Sequence, residues 1–178
     1  MSKVLKESVT FRLNSPNLSA LSKESKRRGV SLNTLVSQII DRHVDWHSHA
    51  AEANLVSVQQ IMITKLLSKY TDLEIEEIAQ NVAKHDVKDV VLLLRKKNDA
   101  ESFLDLIETW AKVSDFPYSH SVDDTIHEFF LQHDMGKQLS KYLSKLYETM
   151  FESFGLKKVE FDITNKSISF TVDTKKPR

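Results

Sequence analysis

The chain has 178 residues, 28 % charged and 40 % hydrophobic, the balance of a soluble globular protein of one or two domains with enough length for a real core. It contains no cysteine, which excludes disulfides, thiolate metal sites and cysteine nucleophiles, and no run of signal-peptide or membrane-span character stands out, so a cytoplasmic location without a membrane partner is expected. Net charge is zero, yet residues 1–50 hold eight Lys and Arg against four Asp and Glu, leaving the remainder acidic. A basic head on an acidic body suits a polyanionic partner.

In chain order, the first predicted element is a strand. Ser8-Val9-Thr10-Phe11-Arg12-Leu13 alternates, placing Val9, Phe11 and Leu13 on one side and Ser8, Thr10 and Arg12 on the other. Ser15-Pro16 predicts a helix start, with Ser15 as cap and Pro16 at the first helical position, and Leu18 and Leu21 as its apolar contacts. Gly29 ends this helix as a left-handed residue after Lys26, Arg27 and Arg28, cations that either complement the helix dipole or neutralise phosphates. Ser31 then caps a second helix, along which Leu32, Leu35, Val36, Ile39, Ile40 and Val44 form one apolar stripe.

The strand, the Gly29-Val30-Ser31-Leu32-Asn33 turn and the two-helix spacing cover about residues 6–46 and resemble the ribbon-helix-helix DNA-binding repressors, such as the methionine and Arc repressors. That resemblance implies a homodimer in which two copies of the strand pair into a ribbon that enters the major groove. Ser8, Thr10 and Arg12 would read bases; Arg12 has the fork that matches guanine O6 and N7. Ser31, Leu32 and Asn33 would anchor a phosphate on the free amides of the second helix, with Arg28 assisting. Val9, Phe11, Leu13, Leu35, Val36, Ile39 and Ile40 would form the dimer core. His43, Asp45, His47 and His49 follow, and a nickel-responsive branch of these regulators carries a metal-sensing domain. This chain lacks the cysteine such sites use, so a polar helix end with no metal is expected.

The expected domains are residues 1–48, a linker at 49–56, and residues 57–176. From Ser57 the pattern is helical, with Val58, Ile61, Met62 and Leu66 on one face. Asp72 is the expected cap of a further helix bearing Leu73, Ile75, Ile78, Ala79 and Val82. Residues 87–94 read as a buried helix, and Asn98 or Asp99 caps another that runs to about Val113. After Pro117 the period changes to strands at 118–122 and 126–132 around Asp123-Asp124-Thr125. A helix at about 137–154 closed by Gly155 comes next, then strands at 158–164 and 167–173 around Asn165-Lys166. The fold class is α+β: a hairpin-helix-hairpin with four strands and helices on one face, serving dimerisation or effector sensing.

This layout is similar to small-molecule sensor domains of the vinyl-reductase and haem-nitric-oxide-binding type. His133 and Asp134 stand where a strand hands over to a helix. They are either effector contacts beside free helix amides, or a space-filling histidine and a capping aspartate. His120, His127 and His133 lie in neighbouring strands, but their alternation does not place all three on one face. Trp110, Phe116, Tyr118, Phe129 and Phe130 are expected in the core. No nucleophile elbow, phosphate-binding glycine loop or paired zinc motif occurs, so neither catalysis nor a cofactor is expected. The function so implied is a homodimeric, sequence-specific transcriptional regulator whose partners are double-stranded DNA, its own second copy and a small-molecule effector. The alternative is an antitoxin-like DNA-binding protein whose C-terminal part grips a partner protein, although such tails are short and flexible and this remainder reads as folded.

Overall fold

Short polar side chains and one glycine punctuate the N-terminal helices. The computed structural model describes residues 7–156 and 159–175, and the chain divides into two compact units, Met1–Val44 and Asp45–Arg178. Helix α1 (Ser15–Arg28) is capped by Asn14 rather than Ser15: the Asn14 side chain accepts the Asn17 amide at 2.9 Å, which moves Pro16 one place into the helix. Gly29 ends it in the left-handed region at φ 68°, a conformation that costs glycine no Cβ clash. Ser31 caps α2 (Leu32–Arg42), its hydroxyl accepting the Thr34 amide at 3.0 Å. Ser25 and Leu35 are the buried residues of this pair, and α2 runs on into a π-helical turn, His43–His47.

Residues 8–13 form no strand. They are exposed and carry no regular secondary structure. The physical reason is the lack of a neighbour: a strand exists through its ladder, and within the described residues the strands lie from Tyr118 onward.

In the second unit, α3 (Gln60–Leu67) precedes α4 (Asp72–Val82). Thr71, not Asp72, is the cap, and it forms a reciprocal box with Glu74: the Thr71 amide donates to the Glu74 carboxylate at 2.8 Å while Thr71 Oγ1 accepts the Glu74 amide at 3.4 Å. A π-helical turn, Ala83–Val87, joins α4 to α5 (Lys88–Arg95). Contrary to expectation, α5 is amphipathic and not sunk in the core, since Val91 is buried but Leu92 is 52 % exposed. Asp99 caps α6 (Ala100–Val113) by accepting the Ser102 amide at 2.9 Å.

Strands β1 (Tyr118–Asp123) and β2 (Ile126–Gln132) form the first hairpin, followed by α7 (Lys137–Ser153). Strands β3 (Glu160–Ile163) and β4 (Ser167–Asp173) form the second. The expected start of β3 at Lys158 lies outside the described residues. All pairings are antiparallel in the order β1-β2-β4-β3, with His120 opposite Phe129 and Phe129 opposite Phe170. Alternation sends Phe129, Leu131, Ile168, Phe170 and Val172 to one face, where they meet α6 and α7 in a single core. Phe170 is its hub: its ring stacks on Phe129 at 5.4 Å and meets Tyr147 at 5.7 Å and Phe151 at 5.6 Å. Phe130, expected in the core, is on the opposite, open face of the sheet.

Candidate functional site

Two regions of the molecule offer themselves to partners. The first is the N-terminal unit, where the single chain leaves apolar side chains bare: Val9, Phe11, Leu13, Ile39 and Ile40 are all exposed, with Phe11 at 57 %. Val36 is half-buried, and of the residues assigned to a dimer core only Leu35 is fully covered. Ser8, Thr10 and Arg12 are exposed beside them. At the start of α2 the Thr34 amide is taken by Ser31 Oγ and the Leu35 amide by the Ser31 carbonyl at 3.0 Å. The amides of Leu32 and Asn33 come before the first intrahelical acceptor and carry the partial positive charge of the helix end. Arg28, expected on phosphate, is instead turned along its own helix to Glu24, with an N–O distance of 2.7 Å. A phosphate would have to displace that pairing.

The second region is a cavity of about 570 Å³ within residues 46–147, a volume suited to a small molecule. The turn bearing Trp46, the loop at residues 52–55, the end of α4, the π-helical turn with Asp86, and faces of α5, α6 and α7 line it. Both tryptophans of the chain, Trp46 and Trp110, line it together with Tyr142 and Tyr147. Trp110, a core residue by the sequence pattern, packs edge-on against Phe116 at 5.4 Å, is partly buried against the core and also lines the cavity. Glu52, Asp86 and Asp89 also line the cavity and are exposed, so they stand at its mouth. Burial first, and the charge of Asp86 second, hold the Tyr142 phenol above its ordinary range.

The histidines have other work. His133 is buried and both ring nitrogens are committed: Nδ1 accepts the Met135 amide at 3.0 Å, and Nε2 donates to Ser140 Oγ at 2.9 Å, which in turn donates to the Thr164 carbonyl at 2.6 Å. The ring is therefore the neutral Nε2–H tautomer, and burial holds it below the usual histidine range against an opposing pull from the Asp134 charge. Asp134 accepts from the Gln132 side chain at 2.8 Å and caps nothing, since Gly136 stands at the N-cap of α7 without a side-chain bond. His133 has no ring nitrogen left for an effector, while Asp134 is exposed; both tie the β2–α7 corner to the second hairpin, where the Lys166 carbonyl accepts the His133 and Asp134 amides at 2.8 and 3.0 Å.

His120 and His127 do share a face, which the period-2 reading did not bring out. They stack at 5.2 Å, with His120 Nε2 and His127 Nδ1 3.0 Å apart. His120 Nδ1 donates to Glu108 at 3.0 Å, and His127 Nε2 stands 3.3 Å from Glu101. Glu108 also accepts from Tyr118 and Lys112. Burial pushes its carboxyl up, but the bonds from His120, Lys112 and Tyr118 and the Lys112 charge outweigh this and hold it at about 2. The arrangement is a side-chain bridge from α6 to the first hairpin. Among the described residues no group of three or more His, Asp or Glu is arranged to hold a metal. No helix among them is long and apolar enough to cross a membrane. No family model matches the chain, and no curated protein matches it.

Proposed function

We propose that the protein is a homodimeric, sequence-specific DNA-binding regulator of ribbon-helix-helix type, with a C-terminal unit that receives a small-molecule effector. The observation that carries this reading is the bare apolar surface of the N-terminal unit. A segment of 44 residues is too short to close a core alone, and its strand-forming residues lack a ladder partner. A second copy supplies both needs at once. Val9, Phe11 and Leu13 would then turn inward onto the helices, and Ser8, Thr10 and Arg12 would face the groove. The αL glycine, the Ser31 cap and the unsatisfied amides of Leu32 and Asn33 fit the same geometry, and the basic excess of residues 1–50 fits a polyanion.

The test is selection of bound genomic fragments with the purified full chain, followed by titration on the recovered site. Arg12→Ala should cost about 1–3 kcal/mol on that site and less on random DNA, and binding should weaken steeply with salt. An equal loss on both DNAs would remove Arg12 from base reading. Recovery of no preferred sequence would remove the regulator reading itself.

A further inference from the structure

We infer that the cavity of the C-terminal unit binds a lipophilic cation, an aromatic amine or onium compound with its apolar body inside and its positive charge near the mouth. This names the effector class within the function proposed above, and it is testable without DNA. Size sets the first condition: about 570 Å³ holds a drug-sized body and is too large to be a packing defect. Charge sets the second. Three carboxylates, Glu52, Asp86 and Asp89, line the space and no Lys, Arg or His does, so an anion would meet only repulsion there.

Aromaticity sets the third condition. Trp46, Trp110, Tyr142 and Tyr147 all line one volume, and a desolvated cation is attracted to the faces of aromatic rings. Neutral apolar ligands would satisfy the walls but leave the three carboxylates unused.

Tetraphenylphosphonium is the probe, and tetraphenylborate, its anionic isostere, is the control. Titrated into the full chain, the phosphonium should give a saturable change in tryptophan fluorescence with a Kd on the order of micromolar, and the borate should bind at least about tenfold more weakly. The variant Asp86→Asn/Asp89→Asn alters only exposed positions, and it should weaken the phosphonium about tenfold and bring the borate closer to it. Equal binding of the two ions, no saturable binding, or an unchanged affinity in the variant would each overturn the assignment. Phosphonium binding by a chain that fails to select DNA would uphold the cavity and sink the regulator reading. Selective DNA binding without phosphonium binding would do the reverse.

Discussion

Truncating Phe11 should separate the proposed dimer. Val9, Phe11, Leu13, Ile39 and Ile40 are between 41 and 71 % exposed, together equal to about two and a half fully exposed apolar side chains per subunit. At about 2 kcal/mol for each side chain removed from water, two subunits would gain about 10 kcal/mol by covering them. Association costs about 4–15 kcal/mol in lost freedom, so the margin is thin and the ribbon's ladder has to add to it. Phe11, 57 % exposed, accounts for about 1.1 kcal/mol per subunit and about 2.3 kcal/mol per dimer. Phe11→Ala should therefore raise the dimer Kd about 40-fold, and Phe11→Leu should recover most of the loss. Sedimentation equilibrium over a wide concentration range measures both constants, and circular dichroism confirms that the helices persist. A wild-type chain that stays monomeric at high concentration, or an Ala variant with an unchanged Kd, would refute the reasoning.

Acid should loosen the bridge between α6 and the first hairpin. Glu108 is held at about 2 against an ordinary 4.5, so its contribution is complete above pH 4.5 and drains away as pH falls toward 2. Allowing for its partial exposure this amounts to about 1–2 kcal/mol, and Glu108→Gln should flatten the acid limb of a urea-unfolding series. His133 acts in the same sense higher on the scale. Its folded value is depressed by burial, so stability is full above about 6.5 and declines as pH drops below it. Histidine-selective NMR should show the neutral Nε2–H tautomer at neutral pH, and an Nδ1–H ring would contradict the bonds to Met135 and Ser140. Thr71→Ala removes the hydroxyl half of the α4 capping box and should cost about 1 kcal/mol, where no change would mean that Asp72 takes over as cap.

Where one local rule governs, the residues were readable. Ile126–Gln132 and Ser167–Asp173 follow strict alternation between turn residues, and both strands came out with the expected bounds. Gly29 and Ser31 are recognisable because a left-handed stop and an N-cap each demand a narrow set of side chains. Caps misassigned by one residue, Asn14 and Thr71, show the limit of that rule. Several capping side chains stood in a row, and only the helix geometry chooses between them. The buried reading of residues 87–94 failed for a related reason. A run of apolar residues reports how much surface needs cover, while Leu92 shows that helical pitch still turns some of it outward.

The strand at 8–13 and the cavity were hard to read for opposite reasons. Residues 8–13 alternate as a strand would, yet the described residues give them no ladder partner and they form no strand. The cavity announced nothing, because its walls come from segments spread between Trp46 and Tyr147, and its acids sit on helix turns where solvation is the ordinary explanation. The histidine pair was missed because the hairpin register, and not alternation within one strand, sets His120 two positions along from the residue that faces His127. In both functional regions the underlying quantity is the same: apolar surface the fold leaves uncovered. Curvature decides what covers it. The exposed row on the N-terminal unit can be dried only by a surface of matching shape, which is a macromolecule's task and most economically a second copy's. A recess walled by aromatic rings excludes such a surface and admits a small molecule, and three unopposed carboxylates at its mouth select the sign of the charge that enters.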